Sequence, residues 1–167
     1  MITYGILLNL CHSGLLSGEY ERVIHYGRRG LNIAKRWQDL LWISNIIDQL
    51  ARIYVRMGLL HEAGLQQLDA LEWHLAIGQQ WQMLGYLWSL VVFSPQLVGG
   101  YETAVTILAM VYHHPEVTAH HRQKIEEARP RFEAEIGTAA FAAAWEKGKA
   151  LDFDTAVAQV RLALSSA

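Results

Sequence analysis

Three short segments of this 167-residue chain share one pattern. They are Gly18-Glu19-Tyr20-Glu21-Arg22-Val23, Gly58-Leu59-Leu60-His61-Glu62-Ala63 and Gly99-Gly100-Tyr101-Glu102-Thr103-Ala104; Gly58 follows Gly18 by 40 residues, and Gly99 follows Gly58 by 41. Each offers a glycine, then a large apolar residue two places on (Tyr20, Leu60, Tyr101), then a small or β-branched residue five places on. Glycine closes one helix in a left-handed conformation that other residues reach only under strain. The large residue is placed to plug between that helix and the next, and the small residue lets the two approach. Twelve places after each glycine stand Gly30, Ala70 and Val111, and seven before stand Cys11, Ala51 and Val92. Such a recurrence constrains a fold more than composition does, because each unit must bury its apolar face on its neighbour.

The segments between the glycines read as helices. Apolar residues recur at helical spacing over 3–14, 19–35, 39–56, 60–77, 81–93 and 101–113, giving three helical hairpins. Ser94-Pro95-Gln96 breaks one first-arm helix early, and Gly99-Gly100 softens the connection that follows. Only three prolines in a chain 52% apolar and 18% charged agree with helices and argue against disorder. Beyond His114-Pro115 the repeat fades. A helix is expected over 116–127, ended or kinked by Pro130 and continued over 131–136. Thr138 is a fair N-cap for a helix over 139–147 ended by Gly148, and Asp152 caps a last helix over 153–164.

The small–large–small order resembles the tetratricopeptide repeat. The 40–41 residue spacing exceeds that family's usual ~34 and is similar to the longer repeats in the helical sensor regions of large bacterial regulators. Trp37-Gln38 and Gln79-Gln80-Trp81 stand where a repeat-closing proline is usual. The tail is the most specific part: Ile136-Gly137, Phe141, Trp145, Gly148, Leu151 and Ala156-Val157 resemble the closing segment of large multidomain bacterial transcriptional regulators and predicted ATPases, with Asp152 where serine is usual. The resemblance implies an all-α, TPR-like right-handed solenoid, with three hairpins over 1–114 and a C-terminal helical cap over 115–167. It also implies that the chain is the C-terminal part of a longer protein. No phosphate-cradling glycine loop ending in Lys-Ser or Lys-Thr is present in it, so nucleotide chemistry is expected upstream.

Asn45, Asp48, Gln49, Arg52 and Arg56 lie at offsets that keep one side of a helix. In the repeat register these first-arm positions line the concave face of a TPR-like solenoid, with His12 before them and Tyr86, Ser89 and Phe93 after. A groove with an ionic centre and aromatic flanks suits a peptide helix or a small polar effector. The alternative is a solvated helix face on which Asp48 and Arg52 form an i,i+4 pair. His113-His114, Glu116 and His120-His121 suggest a metal site, but adjacent helical histidines diverge and no cysteine supports them, so no metal or other cofactor is expected. Trp37, Trp42 and Trp81 are expected to pack one hairpin on the next. Cys11 and His12 are adjacent and diverge on a helix, so they make no nucleophile–base pair.

A formal charge of −2 provides no basic footprint for nucleic acid. The single cysteine fits a reducing cytoplasm, Met1-Ile2-Thr3-Tyr4 lacks the start of a secretory signal, and the apolar run 84–93 is short of the ~20 residues that span a membrane. The expected function is a non-catalytic interaction or sensing module of a bacterial signal-transduction regulator. Its partner would be a protein segment, a small effector, an upstream nucleotide-binding domain of the same chain or a second copy. A free-standing adaptor and a small-molecule receptor domain are the alternatives.

Overall fold

Asp39 opens one helix because its carboxylate accepts the backbone N–H of Trp42 at 3.3 Å, and Thr118 and Asp152 open two others in the same way. The computed structural model describes residues 18–167; the helix expected over 3–14, Cys11 and His12 lie outside them. Among the described residues there are eight α-helices and no strand: α1 (Tyr20–Trp37), α2 (Leu40–Arg56), α3 (Leu60–Ile77), α4 (Gln80–Phe93), a 3₁₀ turn (Pro95–Val98), α5 (Tyr101–His113), α6 (Ala119–Ile136), α7 (Thr138–Lys149) and α8 (Phe153–Ser166). The all-α class is therefore observed.

The repeated glycines do what their spacing predicts. Gly18, Gly58 and Gly99 have φ of +77°, +76° and +92°, and two residues after each a helix begins, at Tyr20, Leu60 and Tyr101. Five places on, Val23, Ala63 and Ala104 are buried. So are Gly30, Ala70 and Val111. The plug differs among the three: Tyr20 and Tyr101 are half-buried, whereas Leu60 is 39% exposed. A second recurrent position lies at helix ends. Gln38 and Gly78 are also left-handed, with φ of 54° and 68°, and their N–H groups return to carbonyls near the preceding helix end. A left-handed residue thus follows the last helical turn of both α1 and α3.

The described residues fall into two compact units that divide between Ala70 and Leu71. In the first, α1 packs on α2. Gly27 makes this possible, since a Cβ there would lie 2.7 Å from Leu50 Cδ2. Ile43, Ile47, Leu50 and Ile53 form the buried side of α2, and Lys35 pairs with Asp69 of α3.

In the second unit α5 is the central element. Its residues 104–111 are all buried, and α4, α6, α7 and α8 pack around it. Thr106, 5% exposed, keeps its hydroxyl satisfied by donating to the Glu102 carbonyl at 3.0 Å. Arg161 of α8 holds Glu72 through two bonds of 2.7 and 2.9 Å. Trp145 is stacked on Phe141 at 5.6 Å, with the Arg129 guanidinium 4.5 Å from the Trp145 ring centre.

Several expectations for the tail are corrected. α6 starts at Ala119 and runs unbroken through Pro130. Thr118 caps it by accepting the His121 N–H at 3.2 Å. Ile125 and Phe132, each 0% exposed, anchor the helix on both sides of the proline and outweigh the single hydrogen bond it removes. Thr138 is the first helical residue of α7 rather than its cap. Gly137 takes the capping place, at φ 83° and ψ 154°, a region reserved almost wholly for glycine. Gly148 lies inside α7, buried against α5. Trp37 and Trp81 are 77% and 52% exposed and so are not packing between hairpins, because the junctions turn on Gln38 and Gly78 and leave the flanking rings outside. Asp152 caps α8 as expected, accepting the Thr155 N–H at 2.9 Å.

Candidate functional site

The polar stripe of α2 is only partly solvated. Arg56 is exposed, whereas Asn45, Asp48, Gln49 and Arg52 are half-buried. Asp48 accepts a hydrogen bond of 3.3 Å from the Gln67 amide of α3, and Gln67 is 1% exposed. Gln67 is missing from the stripe read in the sequence. Its signal was its position on the same face as Ala63, Ala70 and Leu71, where a polar residue among buried ones needs a partner.

Charge in this site is costly. Burial lowers the pKa of Arg52; the nearby Asp48 carboxylate opposes that and Arg56 adds to it. Gln49 Oε1 is buried with no hydrogen-bond partner among the described residues. An acceptor in that state costs about 1–3 kcal/mol. The α2 face thus places a carboxylate, a guanidinium and an amide side by side in a partly dry setting, which suits recognition of a polar or charged group. No nucleophile–base pair is among them.

The α4 residues sit in the second unit and differ from one another. Tyr86 is 4% exposed, its ring 4.9 Å from that of His74, which makes it a core residue. Ser89 is half-buried. Phe93 is 41% exposed and meets Trp88 edge-on at 6.0 Å. The turn residues Gly18, Tyr20, Gly58, Leu60, Gly99 and Tyr101 shape the backbone and lie at helix starts.

The histidines are engaged locally. His114 Nδ1 accepts the Glu116 N–H at 3.2 Å, and His121 Nδ1 lies 2.9 Å from the Thr118 hydroxyl. Among the described residues no group of three or more His, Cys, Asp or Glu is placed to hold a metal, and no helix is long and apolar enough to cross a membrane.

His74 is strongly shifted. Burial lowers its pKa from 6.5 to about 4, beside a cavity of about 230 Å³ shared with Met83, Phe153 and Asp154. Between those two pH values the unfolded chain binds a proton at His74 that the folded chain refuses, so stability falls as pH drops from 6.5 towards 4. His74→Phe is expected to flatten that acid limb. Urea midpoints of both proteins at pH 7, 6, 5 and 4 check it, and parallel curves would show that His74 does not contribute.

Compared with known proteins, the chain matches no family model, no curated protein and no solved structure.

Proposed function

We propose that the chain is a TPR-like right-handed solenoid serving as a non-catalytic interaction or sensing module of a bacterial cytoplasmic signal-transduction regulator. The α2 stripe takes a protein segment or helix, and through it biases an upstream nucleotide-binding domain. The observation that supports this most is the shared left-handed geometry of Gly18, Gly58 and Gly99 at 40–41 residue spacing, each opening a helix with a buried small or β-branched residue five places on. The half-buried polar α2 face supports the choice of surface. Asn45, Asp48, Gln49 and Arg52 have already given up part of their hydration on folding, so a polar group bound there displaces less water than it would on a wholly solvated face.

Helical peptides selected from a displayed library against the purified chain test the proposal. Affinity for the selected peptides is expected to fall about tenfold in Arg52→Ala, the cost of one partly desolvated charged contact, with the far-UV spectrum retained. Binders indifferent to Arg52→Ala would return the stripe to an ordinary helix surface. A small-molecule receptor is the second reading, favoured by a cleft in the second unit.

A further inference from the structure

α7 and α8 both rest on α5, yet their backbones make no close approach to each other. Separate anchors keep them apart. Gly148 seats α7 directly on α5, where a Cβ would stand 2.2 Å from the Thr106 carbonyl oxygen. α8 is held by the Pro95–Val98 turn and by the Arg161–Glu72 pair. The gap left between them is a cleft of about 620 Å³, within the ~300–1,000 Å³ common for small-molecule sites.

Small side chains line the α7 wall of this gap, while Gln159 and Leu162 line it from α8. Ala143 and Ala144 present methyl groups from α7, and Thr103 contributes a hydroxyl from the α5 floor. Two charges of opposite sign also line it, Glu102 from α5 and Lys147 from α7. Among the described residues neither the Glu102 carboxylate nor the Lys147 ammonium takes part in an ion pair. The adjacent Glu146 and Lys149 pair with each other, so nearby charges are matched while these two are not. A ligand carrying only an anion would meet Glu102 as a like charge, and one carrying only a cation would meet Lys147 in the same way.

We propose that this cleft binds a small zwitterion of the amino-acid and short-peptide class, its ammonium towards Glu102, its carboxylate towards Lys147 and a small aliphatic body against the alanine walls. The site belongs wholly to the second unit and stands whether or not the α2 stripe binds a partner.

Titration of the isotope-labelled full chain with alanine, dialanine, trialanine and trialanine blocked at both ends, followed by NMR shifts, tests it. At least one of the three free zwitterions is expected to give saturable shifts at Thr103, Ala143 and Lys147; which one saturates separates an amino acid from a short peptide as the source. Blocking both ends, or Lys147→Ala, is expected to weaken binding about tenfold. Ala143→Trp, at an exposed helix position, fills the cleft and is expected to abolish binding while the far-UV spectrum is retained. The proposal is overturned if none of the zwitterions saturates, if the blocked peptide binds as tightly as the free one, or if both variants bind like the parent chain.

Discussion

Leu50→Ala is expected to cost the first unit about 3 kcal/mol, as large-to-small changes at well-packed sites do. Leu50 is 0% exposed and lies where α1 and α2 meet, over a glycine that provides no atoms to fill the void. Urea unfolding followed by far-UV circular dichroism measures the loss. The same contact gives a sharper test. In the parent chain Gly27→Ala pushes a methyl to within 2.7 Å of Leu50 Cδ2. With Leu50 truncated, that methyl enters vacated space and also removes the roughly 1 kcal/mol that glycine costs within a helix. The double variant should therefore be more stable than Leu50→Ala alone by about 1 kcal/mol. A double variant less stable than the single one would show that α1 and α2 do not meet through this pair.

Gly148→Ala is expected to destabilise the second unit, although alanine is the better helix former. The new Cβ would stand 2.2 Å from the Thr106 carbonyl oxygen and 2.6 Å from Ala109 Cβ. The first neighbour is backbone, with no rotamer through which to retreat, so α5 and α7 must separate. Overpacking of this kind costs about 3 kcal/mol, the helix preference returns about 1, and the net loss of about 2 corresponds to roughly 4–8 °C in melting temperature. A melting temperature that rises, as at an open helical site, would mean that α7 does not sit on α5 through Gly148.

These two glycines show where sequence patterns stop being informative. Gly58 could be assigned from its neighbours, because helix termination is a local event: the chain needs a left-handed residue, and glycine takes that conformation without a Cβ clash. Gly148 carries the same letter and stands near a helix end, so local reasoning places it as a stop. Its actual role depends on Thr106, a residue 42 positions earlier. Pro130 is the mirror case. Locally it breaks a helix, but Ile125 and Phe132 bury on either side and α6 continues through it.

The candidate site divides along the same line. That Asn45, Asp48, Gln49, Arg52 and Arg56 share a face follows from the helical period alone. That four of them are half-buried, that Asp48 takes a hydrogen bond from Gln67, and that Tyr86 is core whereas Phe93 is surface depend on what the fold sets opposite each helix. Trp37 and Trp81 make the point for apolar residues: their type favours burial, but the junction geometry leaves them exposed.

By itself the sequence determined the helical class, most helix starts and stops, the left-handed glycines and the small buried residues that follow them. Each of these is decided within a few residues by backbone sterics, capping and periodicity. Only the tertiary structure decided the unbroken α6, the interior place of Gly148, the partner of Asp48 and the cleft between α7 and α8. Those features depend on which distant surface each helix face meets, and a periodic pattern names the face without naming what covers it.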